Sequence, residues 1–179
     1  MIKKGLFLDR DGVINIDHGY VFRIEDFKFV DGIFEFTQAA IAKGYSIFVV
    51  TNQAGIGRGY YGISDFEFLT DWMCKKFDDQ GVLISEVFFS PYHPIHGKGI
   101  YKKDDMSRKP NPGMIQQAAS KFNIDLSQSV LIGDKKSDIQ AGHNAGIRTN
   151  IFLNANNSKF ILAKPFFSVL ALDEALAFL

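Results

Sequence analysis

Six short apolar runs, separated by stretches of helical periodicity, limit the fold of this chain more than any other feature. They are GLFL (5–8), YSIFVV (45–50), SEVFFS (85–90), SVLI (129–132), RTNIFL (148–153) and FFSVL (166–170). Runs this short and continuously apolar suit strands buried on both faces of a parallel sheet. Between the first two, Ile33, Phe36, Ala40 and Ile41 make a helical stripe that stops at Gly44. Phe66, Leu69, Met73 and Phe77 repeat at the same spacing, with Ser64 or Asp65 placed to cap that helix. Pro112 opens a third helix carrying Met114, Ala118 and Phe122. A shorter helix is expected over 138–145, ending at Gly146, and another over 172–179. Strands alternating with helices predict an α/β domain with a mostly parallel sheet. The 179 residues suffice for one such domain over 1–179 with a full core, and 18 Phe point to aromatic filling. Two connections are long, 15–29 and 91–111, and loops of that length in a compact domain are often functional.

Charge and composition remove several classes of partner. Twenty basic residues balance twenty acidic ones, so no net field favours nucleic acid or an anionic membrane. No apolar run reaches the roughly 18 residues needed to span a bilayer. The start, Met1-Ile2-Lys3-Lys4, is basic, but its apolar stretch stops at Asp9, too soon for a secretory leader. A single cysteine, Cys74, excludes an internal disulfide. A cytoplasmic monomer is the expectation.

The chemistry lies directly after the apolar runs. Asp9-Arg10-Asp11-Gly12 follows the first, Thr51-Asn52-Gln53 the second, and Gly133-Asp134-Lys135-Lys136-Ser137-Asp138 the fourth. In open α/β sheets, ligands bind beyond the carboxyl ends of the strands, so these clusters converge. Arg108-Lys109-Pro110, just before a helix, can approach the same edge. Asp9 and Asp11 would repel each other unless a cation lies near them. Asp9, Asp11 and Asp134 are hard oxygen ligands suited to Mg²⁺. An anion held by Mg²⁺, Lys109, Thr51 and backbone amides is most simply a phosphoryl group. An Asp can attack it, forming an aspartyl-phosphate, while a second Asp moves the protons.

DRDGV, TNQ, the Lys109 of RKP and GDKKSD resemble the four ordered motifs of the haloacid dehalogenase superfamily. LFLDRDGVIN, DHGYV, FKFVDG, VTNQAGIGRGYY, RKPNPGM and IGDKKSDIQAG are similar to the D-glycero-D-manno-heptose 1,7-bisphosphate phosphatase and histidinol-phosphate phosphatase family, over residues 5 to 153. The resemblance implies a Rossmann-like, three-layer domain without a large cap. It implies Asp9 as nucleophile and Mg²⁺ ligand, and Asp11 as general acid/base, binding Mg²⁺ through its backbone carbonyl. Asp134 would complete the protein's share of the Mg²⁺ shell, and Thr51 and Lys109 would hold the transferring phosphoryl. Arg108 would recognise the rest of the substrate, with Asp17, His18, Gly19, Tyr20, Asn52, Gln53, Ala54 and Lys135 nearby. Arg58 is expected to reach a second phosphate, which a guanidinium fits with two hydrogen bonds. Asp138 is expected to orient Lys109 rather than touch Mg²⁺. If the substrate is a heptose bisphosphate, the enzyme would feed nucleotide-heptose synthesis for lipopolysaccharide.

Many members of that family carry a zinc loop of Cys-x-His and Cys-x-Cys. Here Ser90, Tyr92, Asp105 and Ser107 stand at those positions, so a tetrahedral nitrogen and sulfur site is not available and zinc is not expected. His93 and His96 remain, with Asp104 or Asp105 the conceivable co-ligands of a makeshift site, but two loop histidines without cysteines more often lie in solvent or near substrate. Bland readings exist for each feature taken alone. Asp9 and Asp11 could be turn residues, Asp138 a helix cap, Arg58 a surface cation, His18 a packed side chain, Cys74 an inert thiol, and Trp72 core. Other functions also compete. Histidinol-phosphate phosphatase shares the mechanism, and a receiver-type phospho-acceptor module shares the residue types in a different order. A polynucleotide 3′-phosphatase is disfavoured by neutral charge and the lack of a basic-aromatic groove.

Overall fold

Side chains two apart on a strand share a face, and that periodicity builds two cores from one sheet. The computed structural model describes residues 3–155, 161–162 and 165–179. Met1 and Ile2 of the basic start lie outside the described residues. Among the described residues there are six strands, β1 (Lys4–Leu8), β2 (Tyr45–Asn52), β3 (Ile84–Ser90), β4 (Val130–Gly133), β5 (Thr149–Leu153) and β6 (Phe167–Val169). They form one sheet of order β3-β2-β1-β4-β5-β6 in which every described pairing is parallel. All six expected runs are therefore strands, and the sheet is wholly rather than mostly parallel.

The helices are α1 (Ile33–Ala42), α2 (Ala54–Arg58), α3 (Ile63–Asp78), α4 (Gly113–Phe122), α5 (Lys136–Ala145) and α6 (Leu172–Ala175). Leu6, Leu8, Ile47, Val49, Val130 and Ile132 point to one face, where α1, α3 and α6 pack with Phe36, Leu69, Met73, Phe77 and Leu172. Phe7, Phe48, Val50 and Leu131 point to the other, against Met114, Ile115 and Ala118 of α4 and Ile139 of α5. This is the three-layer arrangement expected. Aromatics fill both layers: Phe29 packs on Trp72 and Phe77, and Phe48 lies between Phe7 and Phe122. Among the described residues, no helix is long and apolar enough to cross a membrane.

Helix ends depart from expectation in three places. The cap of α3 is Gly62, and Asp65 sits one turn in, accepting a hydrogen bond from Gly62 N–H at 2.7 Å. An acidic side chain in the first turn satisfies the orphan amide as well as a capping residue does. The same device starts α5 at Lys136, where Asp138 accepts from Lys135 N–H at 2.9 Å. The last helix breaks into four α residues and a 3-10 turn over Leu176–Phe178.

Chain connectivity decides where the site lies. β1 is central; the chain leaves it for β2 on one side and later returns to β4 on the other. The crevice between β1 and β4, at the carboxyl ends, is the place where diverging connections leave room for a ligand. Leu8 pairs with Ile132 and Val49, so Asp9, the end of β2 and Asp134 emerge side by side. The 15–29 loop folds over this edge, pinned at its base by Ile16 N–H to Lys28 O (2.8 Å) and Val30 N–H to Ile14 O (2.9 Å).

Candidate active site

Asp9 is the first residue past β1, and its N–H still donates to Ile132 O of β4 at 3.0 Å. That last ladder bond holds the residue at the sheet edge, 5% exposed. Lys109 enters from the 91–111 loop and is 3% exposed. Its Nζ lies 2.8 Å from Asp9 Oδ1, 2.7 Å from Asp138 Oδ1 and 2.7 Å from Val50 O. Three acceptors match the three protons of an ammonium, so the buried charge is satisfied. Burial opposes that charge, but Asp138 and Asp9 outweigh it and raise the Lys109 pKa. Asn52 fixes the backbone beneath it, accepting from Lys109 N–H and donating to Lys109 O, both at 3.0 Å.

Asp11 is held by donors on every side. Arg10, itself 1% exposed, places Nη2 2.8 Å from Oδ1 and 2.9 Å from Oδ2, and also donates to Val21 O at 2.6 Å. Asn15 Nδ2 adds a bond at 3.1 Å and Gln53 Nε2 one at 3.0 Å. Gln53 is the hub of this network. Its amide also donates to Thr51 Oγ1 at 2.9 Å, and its Oε1 accepts from Tyr61 O–H at 2.6 Å.

Asp134 directly follows β4 and rests on Gly12, where a Cβ would lie 2.1 Å from its Oδ2. Gly12 has φ of 98°, so glycine is required there both for its conformation and for the approach. Oxygens of Asp9, Asp134 and Asp138 can lie within 4.8 Å of one another, and Asp134 Oδ1 is buried with no hydrogen-bond donor on it. Burial, and next the charge of Asp9, push Asp134 up to about 7. Burial also raises Asp9, more than Lys109 lowers it. Three crowded carboxylates against one buried ammonium leave the cluster short of positive charge.

A cavity of about 300 Å³ opens beside this cluster. Asp17, Gly19, Tyr20, Asn52, Gln53, Ala54, Arg58, Arg108 and Lys135 all line it, as does Asp11. His18 is the expected residue that does not: it is exposed, in a turn closed by Gly19 N–H to Asp17 Oδ1 at 2.8 Å. Lys135 pairs with Asp17 at 2.9 Å and lies 3.8 Å from Asp134. The cavity is thus bordered by Arg58, Arg108 and Lys135, with the Asp17 carboxylate neutralising one of them. His93, one of the two loop histidines expected in solvent or near substrate, lines it too, and two lining residues, Tyr61 and Ser137, were not expected. Tyr61 is the second tyrosine of the GRGYY stretch, a signal available in the sequence.

The 91–111 loop closes without a cysteine. Ser107 Oγ donates to Ser90 Oγ (3.0 Å) or Asp105 Oδ1 (2.7 Å), and Lys103 Nζ lies 2.8 Å from Asp105 Oδ2 and over the Tyr92 ring. The Lys103 ammonium, with Ser107, holds the Asp105 carboxyl down at about 2. Ser90, Tyr92, Asp105 and Ser107 are therefore joined around one lysine. Arg108 is tied into the same cluster, its N–H donating to Asp105 O (2.9 Å) and its Nη1 to Tyr92 O (2.8 Å). Among the described residues, the loop gathers no set of three or more His, Cys, Asp or Glu.

A HAD-hydrolase-like family model matches residues 106–165, which include Lys109, Asp134 and Asp138. The D-glycero-alpha-D-manno-heptose-1,7-bisphosphate 7-phosphatase of Burkholderia mallei is 58% identical over 153 residues, covering 86% of this chain and 81% of that protein. The chain belongs to this HAD-type phosphatase family. The D-glycero-alpha-D-manno-heptose-1,7-bisphosphate 7-phosphatase of Campylobacter jejuni is 49% identical (86% of this chain, 84% of its own). The D-glycero-beta-D-manno-heptose-1,7-bisphosphate 7-phosphatase of Vibrio cholerae is 46% identical (86% and 82%). A HAD-like phosphatase structure from Mesorhizobium loti superposes with TM-score 0.87 at 32% identity, covering 98% of this chain and 85% of that one. The D,D-heptose 1,7-bisphosphate phosphatase of B. bronchiseptica, complexed with magnesium and phosphate, has TM-score 0.84 at 23% identity over 97% and 96% of the chains, and shares the fold. The phosphatase described here is thus a phosphoric monoester hydrolase on a Rossmann-like scaffold, as its motifs implied.

Proposed function

We propose that this phosphatase is Mg²⁺-dependent and removes the 7-phosphate of D-glycero-D-manno-heptose 1,7-bisphosphate, preferring the α anomer. The observation that carries the reading is the buried Asp9–Lys109 pair with Asp134 close by, beside a cavity bordered by Arg58, Arg108 and Lys135. The relatives supply the sugar, and the one named for the α anomer, at 58% identity, supplies the anomer. A histidinol phosphate carries basic nitrogens at its far end, and Arg58, Arg108 and Lys135 would repel them. A second phosphate suits the same three cations.

The donor set fits Mg²⁺. Asp134 Oδ1 is buried and lacks a donor, and burial with the charges of Asp9 and Asp138 raises the Asp134 pKa. Asp9, Asp134 and the backbone carbonyl of Asp11 would hold the ion, which supplies charge neutralisation at the phosphoryl oxygens. The chain's own residues divide the rest. Lys109 holds Asp9 and sets its positive charge beside the phosphoryl group, and Thr51, whose Oγ1 accepts from Gln53, would donate its hydroxyl proton to a phosphoryl oxygen. A carboxylate oxygen of Asp9 attacks phosphorus, and the P–O bond to the sugar breaks. Asp11 gives its proton to the leaving alkoxide, so it must first be protonated and slip from the Arg10 fork. Asp11 then takes a proton from water as that water attacks the aspartyl-phosphate, releasing inorganic phosphate and restoring Asp9.

Phosphate release from both heptose anomers and from histidinol phosphate, with Mg²⁺ or EDTA, tests this. Turnover of the α anomer abolished by EDTA is expected; activity confined to histidinol phosphate would overturn the substrate.

The Asp134 shift adds a pH prediction. Its folded pKa lies above the unfolded 3.8, so the metal-free protein is favoured at low pH and loses stability as pH rises through about 7. Protons and Mg²⁺ compete for that carboxylate, so the rise in Tm caused by Mg²⁺ grows as pH passes about 7. Asp134→Asn is expected to lose most of this increment while remaining folded. An increment independent of pH and unchanged in the variant would remove Asp134 from the metal site.

A further inference from the structure

One group in the cavity has no part in the chemistry above. His93 lines it together with Arg58 and Arg108. Its backbone is fixed twice, N–H donating to Tyr101 O at 3.1 Å and O accepting from Gly97 N–H at 3.0 Å. The same turn is fastened to α2, where Lys98 N–H donates to Gly57 O at 2.8 Å, one residue before Arg58. Gly57 permits the approach, since a Cβ there would lie 2.3 Å from Pro91 O. His93 and Arg58 are therefore carried by two segments bound to each other.

The tautomer of the ring is set locally. His93 Nδ1 lies 3.2 Å from Ile95 N and 3.1 Å from His96 N, and both amides donate to it. A ring nitrogen that accepts is unprotonated, so the neutral ring carries its proton on Nε2. Burial, with the charges of Arg108 and Arg58, holds the imidazole below its usual pKa and so keeps it neutral. The same engagement of Nδ1 leaves that nitrogen no lone pair for a metal.

We propose that His93 is a specificity-determining residue, its Nε2–H donating to the phosphate that is not transferred, between Arg58 and Arg108. The proposal rests on the bisphosphate reading above. A neutral donor suits this position: it adds a hydrogen bond to the anion without placing a third full charge beside two guanidiniums. It distinguishes substrates with a second phosphate from those without one, because only the former reach it.

The test compares wild type, His93→Leu and His93→Gln on heptose 1,7-bisphosphate and on p-nitrophenyl phosphate, with Mg²⁺. Leu keeps bulk without a donor, and Gln restores an N–H. His93→Leu is expected to raise KM for the bisphosphate about tenfold, the worth of one hydrogen bond to a charged group, with kcat little changed. Its p-nitrophenyl phosphate kinetics are expected to match wild type, and His93→Gln to recover most of the lost KM. Equal losses on both substrates, or an unchanged bisphosphate KM in the Leu variant, would overturn the assignment. Wild type that hydrolyses p-nitrophenyl phosphate but not the bisphosphate would overturn the substrate reading itself, and the assignment with it.

Discussion

Lys109→Met is expected to slow phosphate release at least ~100-fold, the scale on which single positioned electrostatic groups act in catalysis. It is also expected to destabilise the metal-free protein by about 3–5 kcal/mol near neutral pH, the usual result of removing one member of a buried ion pair. Methionine nearly fills the lysine's volume, so the loss is one of charge and not of packing. What remains is Asp9 and Asp138, each 5% exposed or less, with their common cation gone. Asp9, already raised by burial, then favours its protonated form still more strongly, and its folded pKa rises further above the unfolded value. A group shifted that way is tolerated below its unfolded pKa and costs stability as pH rises through the folded one. The deficit against wild type is therefore small in acid and grows toward neutrality. Urea unfolding at an acidic and a neutral pH, beside steady-state phosphate release, reads both effects. A deficit equal at the two pH values would sink the ion-pair account, and unchanged turnover would remove Lys109 from the reacting centre.

The convergence of these groups was legible because each polar cluster directly follows an apolar run, and a parallel sheet brings the carboxyl ends of its strands to one edge. The orienting contact of Asp138 on Lys109 was expected and is present at 2.7 Å. Gln53 as a hub was not legible, because its partners stand far apart in the chain: Asp11 before it, and Tyr61 beyond a helix. Asn52, expected at substrate, spends its amide on the Lys109 backbone. The α2 segment, Ala54-Gly55-Ile56-Gly57-Arg58, has two glycines that lower its helix propensity, so periodicity does not reveal it. Those glycines serve close packing: a Cβ at Gly55 would lie 2.2 Å from the Tyr61 ring. His93 was visible only as a loop histidine, since nothing local reports that Gly57 lets the loop settle on α2. Tertiary approach, not local preference, decided these positions.

Asp9→Asn is expected to abolish turnover, by at least ~10⁴-fold, as removal of a covalent nucleophile commonly does. An amide cannot form the acyl-phosphate bond. Asp11 cannot replace it, because its carboxylate is engaged by Arg10, Asn15 and Gln53. The variant should nonetheless fold, and here the contrast with Lys109→Met is informative. An asparagine Oδ1 can still accept from Lys109 Nζ and from Arg10 N–H, the two bonds Asp9 Oδ1 makes at 2.8 Å each. It also takes one negative charge out of a cluster that holds too many. Burial is the larger reason Asp134 stands at about 7, and the Asp9 charge is the next. Without that charge the Asp134 pKa falls toward its unfolded value, and the pH range over which the metal-free protein loses stability narrows. Metal-free unfolding followed across that range is therefore expected to show a flatter profile in Asp9→Asn than in wild type. Residual turnover near the wild-type rate would remove Asp9 as nucleophile. A stability loss as large as that of Lys109→Met would show that the carboxylate, and not the shape of the side chain, holds this edge of the sheet together.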